Sequence, residues 1–174
     1  MYLEFDVSVS LISILTIGVS LFTALASVVS SKLVLKFGTF KILSVSLLMM
    51  ALTVLGFGLS GNFLLLAVLS IPLGFCAGTL DSALNSYLAI RYKAVFLNLL
   101  HGFYGLGAIL SPMLVSMAIT QKNNWREGYF LVFYILAGVW IILMLSMPVW
   151  KKAERTQNVN NETEEVAVSI SFAE

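Results

Sequence analysis

Residues 74–112 read GFCAGTLDSALNSYLAIRYKAVFLNLLHGFYGLGAILSP, and the fold follows from how this stretch divides. Arg91-Tyr92-Lys93 is a short basic turn between two apolar segments, each the end or the start of a run long enough to cross a bilayer. The first segment carries Asp81, the only acidic side chain in a membrane-spanning position, with Asn85 one helical turn later. The second carries Asn98, His101, Tyr104 and Ser111. Placing a carboxylate in hydrocarbon costs at least about 2.5 to 3.5 kcal/mol on insertion scales, so such a residue faces a bundle interior or a water-filled path. Asp81 is therefore the first functional candidate.

Outward from this pair the chain keeps the same character. Of its 174 residues 59% are hydrophobic and 11% charged, and its mean hydropathy is +0.96, far from the range of an ordinary soluble domain. These values predict an all-α membrane protein. Val7 to Ser31 is free of charge, and Ile42 to Leu80 is too long for one span but suits two, broken at Ser60-Gly61-Asn62. The expected spans are 9–31, 42–59, 63–90, 94–120 and 128–150, after an external segment 1–8 and before a mobile cytoplasmic tail 151–174. Within the tail, 166–172 has the composition of a short strand, and Asn161-Glu162-Thr163 matches a glycosylation sequon that the expected orientation places inside the cell. Lys32, Lys36 and Lys41 surround Phe37-Gly38-Thr39, read as a basic loop in which Gly38 supplies a positive φ. The single cysteine, Cys76, excludes an internal disulfide and reads as a small core residue. No basic tract points to nucleic acid, no ligand set points to a metal or other cofactor, and no catalytic constellation has the spacing of an enzyme.

The third span carries two adjacent patterns. Gly74, Gly78, Ser82 and Ser86 recur every four residues, the small-residue stripe of a close helix contact. Asp81 and Asn85 share the neighbouring face. A structural reading makes Asp81 interhelical glue, hydrogen-bonded to serine, threonine or asparagine. The functional reading makes it a transport carboxylate, and is favoured because an amide supplies glue at lower cost. In the fourth span, spacings of three and four align Asn98, His101, Tyr104 or Gly105, Ala108 and Ser111 on one polar and small face. Gly105 and Gly107 read as helix-packing positions. Histidine changes charge within the physiological range, which suits a proton relay, but it serves equally as a hydrogen-bond donor.

Lysine and arginine fall three after the first span, two after the third and three after the fifth, against two between the fourth and fifth and none elsewhere. The positive-inside rule then predicts an external amino terminus and a cytoplasmic carboxyl terminus in the cell membrane.

Gly78 to Asn85, Asn98 to Ala108 and Ser111-Pro112 resemble helices four and five of the fucose-permease-like group of the major facilitator superfamily, which are sugar:proton symporters. Ser31 to Lys41 resembles that superfamily's loop between helices two and three, with Leu35 where an aspartate is common. Trp125-Arg126 resembles the pair before helix six. The resemblance implies that the five spans are helices two to six of a twelve-helix transporter, an incomplete six-helix half lacking its first helix. It implies proton coupling at Asp81, solute contacts at Asn85, His101 and Tyr104, and a need for the missing helix and a second six-helix half. The expected partners are the lipid bilayer, a small polar solute and protons. Export of drugs or metabolites on the same scaffold is the alternative, and a truncated, non-transporting membrane interaction protein is a third reading.

Overall fold

The structure is a computed structural model and describes residues 7–122, 124–150 and 152. Glu4, Asp6, the sequon at Asn161 and the 166–172 run lie outside the described residues. Among those described, the chain forms five long helices and no strand: α1 (Val9–Phe37), α2 (Thr39–Leu59), α3 (Phe63–Arg91), α4 (Ala94–Lys122) and α5 (Trp125–Leu145). All five are long and apolar enough to cross a membrane. At 1.5 Å per residue, the 21 residues of α2 and of α5 just span a hydrocarbon core of about 30 Å, while the 29 of α1, α3 and α4 overreach it.

The helix ends follow from short polar residues. Ser8 Oγ accepts from the Leu11 N–H at 3.4 Å, Asn62 Oδ1 from the Leu65 N–H at 2.8 Å, and Asn124 Oδ1 from the Arg126 N–H at 3.1 Å. Each cap satisfies a donor that the first turn leaves orphaned. The Asn124 cap starts α5 at Trp125 rather than Gly128, which brings Glu127 into the first turn, where the helix dipole favours an acid. Between α1 and α2 the expected loop shrinks to one residue. Gly38, at φ +85°, is the joint, Lys32 and Lys36 are in α1, and Lys41 is in the first turn of α2. The basic side chains extend the helix past Ser31 because long stems can reach the interface while their backbone stays helical.

α3 is the hub: α1 and α2 both pack along it and scarcely touch each other. The small stripe explains the α1 contact. A Cβ added at Gly74 or Gly78 would fall on the backbone of Val19 or Thr23, so the helices approach backbone to backbone. Thr23 Oγ1 donates to the Gly74 carbonyl at 3.1 Å and to its own Val19 carbonyl at 2.8 Å. Ser30 Oγ donates to the Thr79 carbonyl at 3.3 Å, and Ser82 Oγ to the Ser27 carbonyl at 3.4 Å. In lipid, where burying apolar surface gives helices no reason to associate, these contacts supply the adhesion. α3 runs on through Pro72, whose missing N–H is tolerated in a packed membrane helix. A small core of Leu15, Phe57 and Leu66 closes the end of the bundle where α2 turns into α3, with Tyr129 of α5 packed on it.

The chain forms two compact units, the first reaching Trp140 and the second beginning at Ile141. In the second, the helix relaxes at Ser146 two residues before Pro148 and resumes for a turn at 147–150, at a proline that supplies no backbone N–H to the preceding turn.

Candidate functional site

Asp81 lies on α3 beside the stripe that meets α1, and its carboxylate is exposed. Its partner is local: Asn85 Nδ2 donates to Asp81 Oδ1 at 3.0 Å. The bond links residues i and i+4 of one helix, so it fixes the carboxylate rotamer without tying α3 to a neighbour. Ser82, one position away, instead takes part in the α1–α3 adhesion. The Asn85 Oδ1 is buried with no hydrogen-bond partner among the described residues, which leaves an acceptor next to the carboxyl group. An amide presents one donor and one acceptor side by side. A carboxylate can accept from the first, and a protonated carboxyl group can also donate to the second.

On α4, His101 and Gly105 are exposed, as is Tyr104 at 74%. A Cβ at Gly102, Gly105 or Gly107 would meet nothing within 4 Å, so no described neighbour packs closely on these glycines. That is the opposite of Gly74 and Gly78, and the difference is one of partners rather than of residue type. Among the described residues no hydrogen bond joins the Asp81–Asn85 pair to His101 or Tyr104. Rings link α3 and α4 at their shared turn, with Tyr92 packing on Tyr87 at 5.9 Å and on Phe96 at 5.4 Å. Tyr104, Gly107 and Ser111 instead line a largely apolar cleft of about 600 Å³ with Met50 of α2 and Leu131 and Ile135 of α5. Met50 sits in a featureless apolar run and carries no signal that spacing could have revealed. Among the described residues no three His, Cys, Asp or Glu side chains form a metal-binding group.

α5 is held along α2 by side chains. Arg126 Nη2 donates to the Ser60 carbonyl at 2.9 Å and its guanidinium lies 4.7 Å from the Trp125 ring centre. Tyr129 stacks on Phe57 at 5.4 Å, and Trp140 Nε1 donates to the Ser44 carbonyl at 3.2 Å. The Arg126–Ser60 contact explains why a tryptophan-arginine pair opens this helix: the ring supports a cation that reaches across to the carboxyl end of α2.

Over 132 residues the chain is 27% identical to the glucose/mannose transporter GlcP of Bacillus subtilis (strain 168), covering 73% of this chain and 31% of that transporter. The chain thus spans about a third of the length of the curated relative it matches. No solved structure matches it. The sequence pattern of the Major Facilitator Superfamily matches residues 1–172, nearly the whole chain, and with five apolar helices beneath that match the chain belongs to the Major Facilitator Superfamily.

Proposed function

We propose that this chain is part of a secondary active transporter that moves a small polar solute, with a sugar as the first candidate, by proton-coupled alternating access. One observation carries the reading: an exposed carboxylate sits in a membrane-spanning helix with an amide held against it, Asn85 Nδ2 to Asp81 Oδ1 at 3.0 Å. A carboxylate in such a helix is costly unless it meets water or a proton. Exposure to each side of the membrane in turn lets it load on one side and release on the other. The Asn85 amide holds the side chain in both protonation states, since its free acceptor takes the added proton's hydrogen bond. His101 and Tyr104 are solute contacts in this reading, the imidazole and phenol by hydrogen bonding and the Tyr104 ring by packing on an apolar sugar face. The helices that complete the path belong to the rest of a transporter more than twice this length, as the 31% coverage of GlcP by a match over 132 residues supports. The side bearing Lys32, Lys36, Lys41, Arg91 and Lys93 faces the cytoplasm of the cell membrane.

The test is uptake of labelled glucose and mannose by membrane vesicles from cells making the transporter, under an imposed proton gradient. Asp81→Asn keeps shape and hydrogen bonding but cannot titrate. Accumulation against the gradient should vanish while exchange down it persists; normal accumulation by Asp81→Asn would end the coupling role. The apolar cleft lined by Tyr104 and Met50 favours one second reading, export of apolar compounds. Efflux of a lipophilic dye with no sugar uptake would select it.

A further inference from the structure

α1 and α2 diverge from the Gly38 joint, and both rest on α3. Between them a groove of about 440 Å³ runs from Leu33 and Ile42, near the joint, to Phe22, with Val45 and Ser46 on one wall and Phe75 on its floor. Phe22 to Leu33 is eleven residues along α1, about 16 Å at 1.5 Å per residue, which matches the depth of one leaflet of a hydrocarbon core about 30 Å thick. The groove therefore has the length of a single lipid chain. Its mouth is basic. Lys36 lies one turn beyond Leu33 on the same helix face, while Lys32 and Lys41 immediately precede Leu33 and Ile42, and all three are exposed. Arg91, the last residue of α3, and Lys93 in the turn after it lie on the same side of the bundle.

No described carboxylate balances this charge. The two described acids are Asp81, ten residues back from Arg91 along α3, and Glu127, in the first turn of α5 beside the Ser60 end of the bundle. Ser46, one turn in from Ile42, is buried and contributes the hydroxyl of an otherwise mostly apolar wall. We propose that this groove is a binding site for an anionic phospholipid, with one acyl chain between α1 and α2 and the headgroup phosphate among Lys32, Lys36 and Lys41. The Ser46 hydroxyl then lies at the depth of the ester carbonyls. A free anion satisfies the lysines but leaves the groove to be filled by something else, and a neutral lipid does the reverse. Only a molecule with both parts uses both surfaces.

The experiment titrates the 174-residue chain in micelles with dioleoyl-phosphatidylglycerol or dioleoyl-phosphatidylcholine and counts bound lipid by native mass spectrometry. Each lysine near an anionic group contributes up to about fivefold, so the anionic lipid should bind on the order of ten times more tightly. Replacing the three lysines together, Lys32→Gln, Lys36→Gln and Lys41→Gln, should bring it to the level of the neutral lipid, whose retained binding shows the variant is folded. Val45→Trp, at a position 60% exposed, narrows the groove and should weaken both lipids. Equal binding of the two lipids by the unaltered chain would overturn the proposal, as would a preference that survives loss of the lysines. Competition by glycerol phosphate at the lipid's own concentration would reduce the site to a simple anion site. A preference that appears only after removal of residues 153–174 would assign the lysines to the chain's own acidic tail, and would also overturn it.

Discussion

A Cβ added at Gly78 would fall on the Thr23 backbone, whereas one added at Gly102 would meet nothing within 4 Å. Both are glycines in long apolar helices, but Gly78 lies on the four-residue small stripe and Gly102 does not, and the contacts predict opposite responses to alanine. Gly78→Ala must push α1 away from α3 and should cost about 1 to 3 kcal/mol, the usual range for overpacking. Gly102→Ala should be neutral or stabilising by up to about 1 kcal/mol, because alanine is the better helix former. Unfolding of the two variants in mixed micelles checks this, and equal losses at both sites would refute the close crossing. Thr23→Val keeps the volume but removes a hydroxyl that donates to the Val19 and Gly74 carbonyls. Its expected cost is smaller, about 0.6 kcal/mol and no more than about 1.7, the span measured for hydrogen bonds inside membranes. A larger loss would show that the helix approach itself depends on this side chain.

The elements are held by two different devices. α1 meets α3 through small residues and shared backbone carbonyls, while α5 stands off from α2 and reaches it with long side chains. Arg126 meets Ser60 and Trp140 meets Ser44. The pins are fourteen residues apart on α5 and sixteen on α2, about 21 and 24 Å at 1.5 Å per residue, so the two helices run antiparallel in near register. Arg126→Ala should cost about 1.5 to 3 kcal/mol, the range for a bond from a charged donor, and Trp140→Phe about 1 kcal/mol for a neutral one. Sites this far apart with no shared partner should add within about 0.5 kcal/mol in the double variant. Marked non-additivity in micelle unfolding would mean that α5 docks as one cooperative unit rather than through two separate contacts.

For the whole molecule, the eight basic residues expected on one side predict the orientation by the positive-inside rule. With Cys76 replaced by serine, Gly61→Cys in the α2–α3 turn should react with an impermeant maleimide outside intact cells. Lys93→Cys in the α3–α4 turn should react only after permeabilisation. The reverse pattern would invert the assignment. The open face of α4 bears on the proposed transport, since His101 and Tyr104 are exposed and Gly105 and Gly107 have no close neighbour. A solute held from one side only gains too few contacts to be sequestered from water, so the 174-residue chain alone in vesicles should not accumulate sugar. Uphill accumulation by the chain alone would refute this.

What the sequence by itself determined was the number and type of the elements. Long uncharged runs can satisfy their backbone in lipid only as helices, and Gly38 and Asn62 sit where those helices must break. The pairing of Asp81 with Asn85 was also legible, because a spacing of four residues places side chains together on any helix. What only the tertiary structure decided was which faces meet. Gly74, Gly78, Gly105 and Gly107 look alike in sequence, yet only the first two touch a backbone, because close approach depends on a partner helix that local spacing does not specify. Tyr104 falls beside Met50 and Ile135 rather than beside Asn85 for the same reason: periodicity defines a face within one helix, and the packing of separate helices decides what that face meets.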